Sequence, residues 1–491
     1  MRGVWAAQQV RDAEAVLLGR TPDGALMRRA AFGLAVHVRR MLTRTGRVSG
    51  RRVVLLVGAG NNGGDALWAG VELRRRGVGV AAVLLDPPRA HAAGLAALRR
   101  AGGRVFDPRS PQRGETAAGR VEVTRADLVV DAVVGISGRG PLRAPAVGLV
   151  MAAERAGVPI LAVDLPSGVN VDTGTVDGPA VTATETVTFG ARKPVHVLAA
   201  PRCGPVHLVD IGLGRLLPLP YAQVLDATDV AARWPVPGPA DDKYTQGVVG
   251  IAAGSATYPG AAVLATGAAV LATSGMVRFA GSAADQVRNN WPEVIASMDI
   301  ADAGRTQAWT VGPGSGTDEA GRALLTAVLD RDVPLCVDAD GITLLAQHAD
   351  LRAAVRGRPV VITPHDREFA RIAGDVGPDR AAATRRAAAE LGVTVLLKGN
   401  ATVVADPAGR ILVHPSTSFW AATAGSGDVL SGIIGALLAA GLEPWWAAGC
   451  AAHLHGLAAS LAADGAPAPA SAIQAAIPAA IRRTRHDQVH D

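Results

Sequence analysis

RVVLLV (Arg52–Val57) followed at once by GAGNNGGD (Gly58–Asp65) decides the fold of the first half of the chain. After Arg52, five apolar residues, three of them β-branched valines, without polar alternation make a strand buried on both faces. The glycines end it in a tight turn, and a helical stretch runs on to Arg76. Val78–Leu85, Leu128–Gly135 and Val158–Asp164 read as further buried strands, with helical stretches between most of them. That alternation predicts an α/β domain whose parallel sheet is covered on both faces, of Rossmann-like, three-layer form. Ala6–Arg40 reads as two helices packed on the sheet.

At Leu216–Ala240 the pattern stops. The stretch is rich in proline and has little periodicity, and it predicts a linker. From Lys243 a second α/β pattern begins: strands at Val248–Ala253, Ala308–Gly312, Pro334–Asp338, Val360–Thr363 and Val393–Leu397, and a small-residue helix at Ala261–Gly275. Thr402–Val413 reads as a hairpin, Ala424–Arg483 as helical, and the closing RRTRHDQVHD as a frayed tail. A chain of 491 residues is too long for one core, so residues 1–215 and 241–491 are read as two domains around the 216–240 linker.

Composition narrows the function. The chain is 49% apolar and 19% charged, with a formal net charge of +6. The positive charge is almost all arginine, spread without runs, so no nucleic-acid partner is expected. The only lysines are Lys193, Lys243 and Lys398. Cys203, Cys336 and Cys450 follow no metal spacing and suit a reducing compartment. Asp12 and Glu14 fall where a signal peptide needs an apolar core, and no apolar run is long enough to cross a membrane. A soluble cytoplasmic protein is expected.

Gly58–Asp65 lies between a strand and a helix, where glycines let a ligand approach and unpaired amides attract an anion. A βα turn alone does not need Asn61-Asn62 and Asp65. Asp131 and Asp164 end two other strands, and ligands of doubly wound sheets bind beyond such carboxyl ends. Oxygen donors from Asn, Asp and Ser suit a hard cation. In the second half, AGSGDVLSG (Ala424–Gly432) opens a helix. Gly425, Ser426 and Gly427 would present consecutive amides to a phosphoryl group, and Asp428 would take a proton from an attacking hydroxyl.

The first set of segments, with TVTFGARKPVH (Thr186–His196) and the N-terminal helices, resembles the NAD(P)H-hydrate epimerase family from about residue 8 to 212. The resemblance implies potassium held by Asn62, Asp131 and Ser167. It implies a hydrated nicotinamide nucleotide lined by Asn61, Asn62, Gly63, Gly64, Asp65, Gly135, Ile136, Ser137, Gly138, Arg139, Gly140, Pro141 and Asp164, with Asp164 as the acid/base group. Lys193 is read as either a phosphate ligand or a surface side chain. The second set resembles the ribokinase-like NAD(P)H-hydrate dehydratases, from about Lys243 to Ala462. Its segments are DKYTQGVVGIAAGSATYPGAAVLA, VGPGSG, VDADGITLL, ITPHDREFARI, LKGNATVVADPAGR and GSGD. This resemblance implies ADP held by Lys398, Gly399, Asn400, Ala401, Thr402, Gly425, Ser426 and Gly427 with Mg²⁺. It places the hydrated nucleotide against Ala261, Gly314, His365 and Asp428, with Asp428 catalytic. A homo-oligomer is implied as well.

Departures from the family patterns occur at Ala66, in GISGRGP (Gly135–Pro141), and at Asp242, Asp366-Arg367 and Ser418-Phe419-Trp420. The sequence leaves two other readings open. One is a vitamin-precursor kinase with a non-catalytic N-terminal ligand-binding domain. The other is a non-enzymatic N-terminal sensing or assembly module.

Overall fold

The computed structural model describes residues 1–108, 115–273, 275–416 and 419–486. Packing divides them into one unit, Gly3–Tyr221, and a second, Ala222–Asp491, with which Met1–Arg2 group.

In the first unit seven strands are β1 (Arg52–Val57), β2 (Gly79–Leu84), β3 (Arg104–Phe106), β4 (Leu128–Ala132), β5 (Ile160–Val163), β6 (Glu185–Phe189) and β7 (Val206–Val209). Their spatial order is β3-β2-β1-β4-β5-β6-β7, and each neighbouring pair is parallel. The order reverses between β1 and β4, which opens a crevice beyond their carboxyl ends. Alternate residues explain the two covered faces. Val53, Leu55 and Val57 pack with the helices Ala25–Thr43, Asn61–Arg74 and Ala92–Arg100. Val54 and Leu56 pack on the other side, with the helix Ala146–Arg155. At about 25 cal/mol per Å² of buried apolar surface, such two-sided burial is the main term holding the sheet.

In the second unit the strands are β8 (Ala222–Val224), β9 (Val248–Ala252), β10 (Met276–Ala280), β11 (Ile295–Ser297), β12 (Ala308–Val311), β13 (Leu335–Val337), β14 (Val360–Ile362), β15 (Thr394–Leu397), β16 (Ala401–Ala405) and β17 (Ile411–Pro415). They run β8-β17-β16-β15-β14-β13-β12-β9-β10-β11. The switch point falls between β9 and β12. The predicted hairpin is β16–β17, antiparallel, with Val403 opposite Val413. The helices Pro259–Ala272, Ser426–Ala439 and Pro444–Ala463 share one large core with the sheet.

Two sequence expectations need correction. The 216–240 stretch is not a free linker throughout: β8 lies beside β17, Leu412 opposite Gln223. The helix Ala227–Ala231 is capped by Asp226, and Val230 and Trp234 are buried. Its prolines stand before residue 221 and after residue 234, and the apolar positions between them were masked by that density of turn residues. The expected frayed tail begins later than read, because the helix Ile477–His486 runs through it and buries Thr484. Residues 487–491 lie outside the described residues. The short strands β3, β7 and β11 were not read from the sequence. Each is three or four residues long, and most of their positions are only partly buried.

Candidate active sites

In the first unit Gly60, at φ 92°, caps the helix Asn61–Arg74. The amides of Asn61, Asn62 and Gly63 have no backbone acceptor among the described residues. Gly63 and Gly64 lie inside the helix, and a side chain at either would collide. A Cβ on Gly63 would sit 2.5 Å from the Gly58 carbonyl oxygen, and one on Gly64 2.9 Å from Met27 Cε. These two glycines therefore let the helix start press against its strand and the neighbouring helix. Asn62 Nδ2 donates to the carbonyls of Val134 (2.7 Å) and Val163 (3.0 Å), tying the ends of β4 and β5 together. That leaves Oδ1 as the amide's acceptor.

Asp131 is fully buried beneath this point. Its Oδ1 accepts from Ser167 Oγ at 2.7 Å and its Oδ2 from Ser167 N at 2.8 Å. Burial pushes its carboxyl up to about 6, with the Ser167 hydrogen bonds opposing. No cationic side chain pairs with it among the described residues, which is the situation a bound cation relieves. Asn62, Asp131 and Ser167 are thus brought together.

Asp164 stands at the end of β5 with a left-handed backbone, φ 68°, a conformation that stores strain at a non-glycine residue. Lys193 Nζ donates to its Oδ1 at 2.5 Å, and Thr188 Oγ1 to the same oxygen at 3.0 Å. His196 Nε2 meets its carbonyl at 2.8 Å. Burial would raise this carboxyl, but the Lys193 ammonium, with His196 and Thr188, holds it below the usual range. Lys193 is itself buried, so the reading of it as a surface or phosphate-binding side chain is corrected: it is the counter-charge of Asp164.

A cavity of about 700 Å³ opens over this arrangement. Asn61, Asn62, Asp65, Gly135, Ile136, Ser137 and Asp164 line it, together with Glu14, Met27, Arg89 and His91. Gly138, Arg139, Gly140 and Pro141 are not among its walls. Gly138 N donates to Gly135 O at 2.8 Å, closing the turn, and Arg139 and Gly140 are exposed. Burial, then the charges of Asp164 and Glu14, push Asp65 well above the usual carboxylate range. Glu14 is raised by burial, with Lys193 opposing. Glu14 escaped the sequence reading because it lies on a helix far from the glycine turn. At Ala66, the departure from the family pattern, the methyl is fully buried and disturbs no proposed ligand.

In the second unit Gly425 takes a left-handed turn, φ 85°, and caps the helix Ser426–Ala439. Ser426 N donates back to Thr423 O at 3.2 Å. Within the helix the amides of Gly427 and Asp428 have no backbone acceptor among the described residues, so the expected 425–427 run is interrupted at Ser426. Ser426 Oγ meets His455 Nε2 at 3.0 Å, which braces the turn. Asp428 is half-buried. Burial, reinforced by Asp338 and Asp340 and opposed by Lys398, pushes its carboxyl up to about 7.

Lys398 Nζ pairs with Asp338 Oδ1 at 2.7 Å, and Asp338 Oδ2 accepts from Ser431 Oγ. A Cβ on Gly427 would lie 3.4 Å from Lys398 Nζ and 3.7 Å from Asp338 Oδ2. The carboxyl end of β15 thus meets the helix start. Gly399 and Asn400 are exposed beside it, Ala401 is buried in β16, and Thr402 sits opposite His414. Across the switch point Ala261 touches Gly314, with 3.0 Å between its methyl and a Cβ built there. His365 is exposed, and its Nδ1 caps the helix Asp366–Ala373 by accepting from Arg367 N and Glu368 N. Asp338 was missed as a site residue because its partners arrive from far along the chain. At the departures, Asp366 pairs with Arg380 at 2.9 Å and Asp242 folds an exposed turn, accepting from Tyr244 N. Phe419 is exposed, and Ser418 lies outside the described residues.

Among the described residues, no group of three or more His, Cys, Asp or Glu converges as a metal cluster. No helix is long and apolar enough to cross a membrane.

Comparison with known proteins agrees with both halves. Residues 23–195 match the family model of the YjeF-related protein N-terminus, and residues 249–479 that of NAD(P)H-hydrate dehydratase. The bifunctional NAD(P)H-hydrate repair enzyme Nnr of Mycobacterium tuberculosis H37Rv is 58% identical over 446 residues, covering 90% of each chain. That of Mycobacterium leprae is 56% identical over 472 residues, covering 95% of this chain and 96% of the relative. A ribokinase-like superfamily structure from Enterococcus faecalis V583 superposes on 54% of this chain and 96% of its own, at 23% identity and a TM-score of 0.50, and bears on the fold alone. With two glycine-opened helix starts at two switch points, and near-full-length likeness to proteins that fuse these halves, the chain belongs to the bifunctional NAD(P)H-hydrate repair enzyme family.

Proposed function

We propose that the Gly3–Tyr221 unit interconverts the two C6 epimers of hydrated NADH and NADPH, and that the Ala222–Asp491 unit dehydrates the S-form at the expense of ADP. The observation that carries this reading is a carboxylate, buried at Asp164 and half-buried at Asp428, beside free helix-start amides at each switch point. Asp164 is held ionised by Lys193, and Asp428 is set near neutrality.

In the second unit the task is to make hydroxide leave. Asp428 takes the proton of the C6 hydroxyl as its oxygen attacks the β-phosphorus of ADP, releasing AMP. A carboxylate pushed up to about 7 suits a general base at neutral pH. The amides of Gly427 and Asp428, with Lys398 alongside, hold the transferring phosphoryl, and Lys398–Thr402 take the adenylate. Phosphate then departs from C6, a C5 proton is lost, and the ring double bond of NAD(P)H is restored. Ala261, Gly314 and His365 hold the dinucleotide. Mg²⁺ bound with the nucleotide would supply screening of its phosphate charge.

In the first unit Asp164 is the acid/base group at C6, and Asn61–Asp65 with Gly135–Pro141 receive the nucleotide. Asn62, Asp131 and Ser167 would hold potassium, which would neutralise the buried Asp131 carboxylate. Cytoplasmic residence and a homo-oligomeric state belong to the same proposal on family likeness; sedimentation of the purified chain tests the second.

The deciding assay supplies ADP, Mg²⁺ and each single epimer of hydrated NADH. Recovery of NADH absorbance from both epimers is the expected result. Recovery from neither, or a stable phosphorylated vitamin-precursor alcohol in its place, overturns the reading.

A further inference from the structure

Among the buried carboxylates of the first unit, Asp65 is the odd one. Asp131 is hydrogen-bonded to Ser167, Asp164 is paired with Lys193, and Glu185 is paired with Arg44 and His207. Asp65 is only 7% exposed and lines the cavity, yet its carboxyl has no hydrogen-bond or ion-pair partner among the described residues. An unpaired, nearly buried carboxylate is costly to keep ionised, so the site favours its protonated form.

The groups facing it reinforce this. Glu14 approaches from the helix Ala7–Leu18, and Asp164 from the end of β5 with Lys193 behind it; Asp23, Arg89 and His91 stand at the cavity's other walls. Burial, Asp164 and Glu14 all raise Asp65, whereas Lys193 lowers Asp164. One cavity therefore holds one carboxyl pushed toward its protonated form and one pushed toward its ionised form, the division of labour that acid–base catalysis needs.

Charge also orients the ligand. The acidic end of the cavity repels a diphosphate but accepts an uncharged ring bearing a hydroxyl. The diphosphate would then lie by the free amides of Asn61 and Asn62 and by Arg89 and His91 at the rim.

We propose that Asp65 is the proton donor of the epimerisation, acting on the C6 hydroxyl against the carboxylate of Asp164; this rests on the epimerase reading above. Asp65 gives its proton to the C6 oxygen. The C6–O bond breaks, its electron pair leaves with water, and the lone pair of ring N1 forms the C6=N1 iminium. Water adds to the opposite face, a new C6–O bond forms, the π pair returns to N1, and Asp164 takes the surplus proton. Asp65 and Asp164 then re-equilibrate with solvent as the product leaves.

The test follows a single epimer in ¹⁸O-labelled water with the full-length wild type and with Asp65→Asn. Wild type is expected to place one solvent oxygen at C6 per inversion and to slow at alkaline pH as Asp65 loses its proton. Asp65→Asn is expected to invert about 100-fold more slowly, to bind the hydrated dinucleotide within a few-fold of wild type, and to lose the alkaline fall. A variant that inverts at the wild-type rate, or a wild type that keeps the original oxygen through inversion, overturns the proposal. If Asp65→Asn does not fold, the oxygen label and the alkaline limb of the wild type decide. A wild type that fails to invert at all removes the epimerase reading itself, which is a separate outcome.

Discussion

Each half of the molecule contains one lysine–aspartate pair, buried throughout in the first and with a partly exposed lysine in the second, and the two are used in opposite ways. In the first unit Lys193 grips Asp164, the proposed catalyst, at 2.5 Å, and holds it ionised. In the second, Lys398 grips Asp338 at 2.7 Å, and the proposed catalyst, Asp428, is left beside the pair with its proton affinity raised. The same interaction thus makes a weak, always-ready base in one site. In the other it anchors an ammonium next to a phosphoryl-binding turn and leaves the neighbouring carboxylate near neutrality. What matters is which carboxylate receives the lysine.

The contrast breaks most visibly at Asp428. Asp428→Asn removes the base without changing shape, and dehydration is expected to fall by about 10³-fold while epimerisation by the same chain stays at the wild-type rate. A parallel loss of both activities would mean that the two sites are not independent. Single-epimer assays with and without ADP separate the two.

Lys193→Met is next. It leaves a buried carboxylate with Thr188 but no counter-charge, a loss on the order of 3–5 kcal/mol when the acid stays ionised. Because pairing depresses Asp164, its stabilisation is present above the ordinary carboxylate range and disappears as pH falls through the depressed value. The unfolding midpoint of the variant should therefore lag wild type most at neutral pH and converge with it in acid. Epimerisation should fall about 100-fold, since Asp164 then tends to hold a proton. Urea unfolding at several pH values, alongside epimer exchange, checks both.

The two carboxylates should also differ in pH profile. Dehydration requires ionised Asp428, so its rate should rise as pH increases through about 7 and then level. The acid limb of epimerisation, set by Asp164, should lie below the ordinary carboxylate range, leaving that limb absent near neutrality. Superimposable acid limbs would deny the contrast.

How much of this was legible in the sequence follows from chain distance. Asp131, Asp164 and Asp428 could be placed because each adjoins a local signal, an apolar β-branched run ending or a glycine-opened helix beginning. Lys193 is 29 residues from Asp164 and Lys398 is 60 from Asp338; no local periodicity announces such pairings, and Glu14 arrives on a separate helix. Gly63 and Gly64 carry a second constraint that their residue type alone does not separate from ligand contact: a side chain at either would meet the Gly58 carbonyl or Met27. The segment 222–234 was hidden by flanking prolines, although its own apolar residues are those of a strand and a short helix.

The smallest expected effect concerns the brace behind the second turn. His455 sits on the helix Pro444–Ala463 and meets Ser426 at 3.0 Å. Burial pushes this imidazole down to about 4, so it is neutral near pH 7. Its bond to Ser426 is then an ordinary neutral one, worth about 1 kcal/mol. His455→Phe keeps the ring and removes the bond, so stability should drop by about that amount. The helix start that presents the Gly427 and Asp428 amides becomes less rigidly held. A looser turn should weaken nucleotide binding a few-fold and leave the pH midpoint of dehydration in place, because Asp428 keeps the neighbours that set it. A displaced midpoint would mean that His455 acts on the carboxylate and not on the turn. ADP titration and the dehydration profile, measured on one preparation, distinguish these.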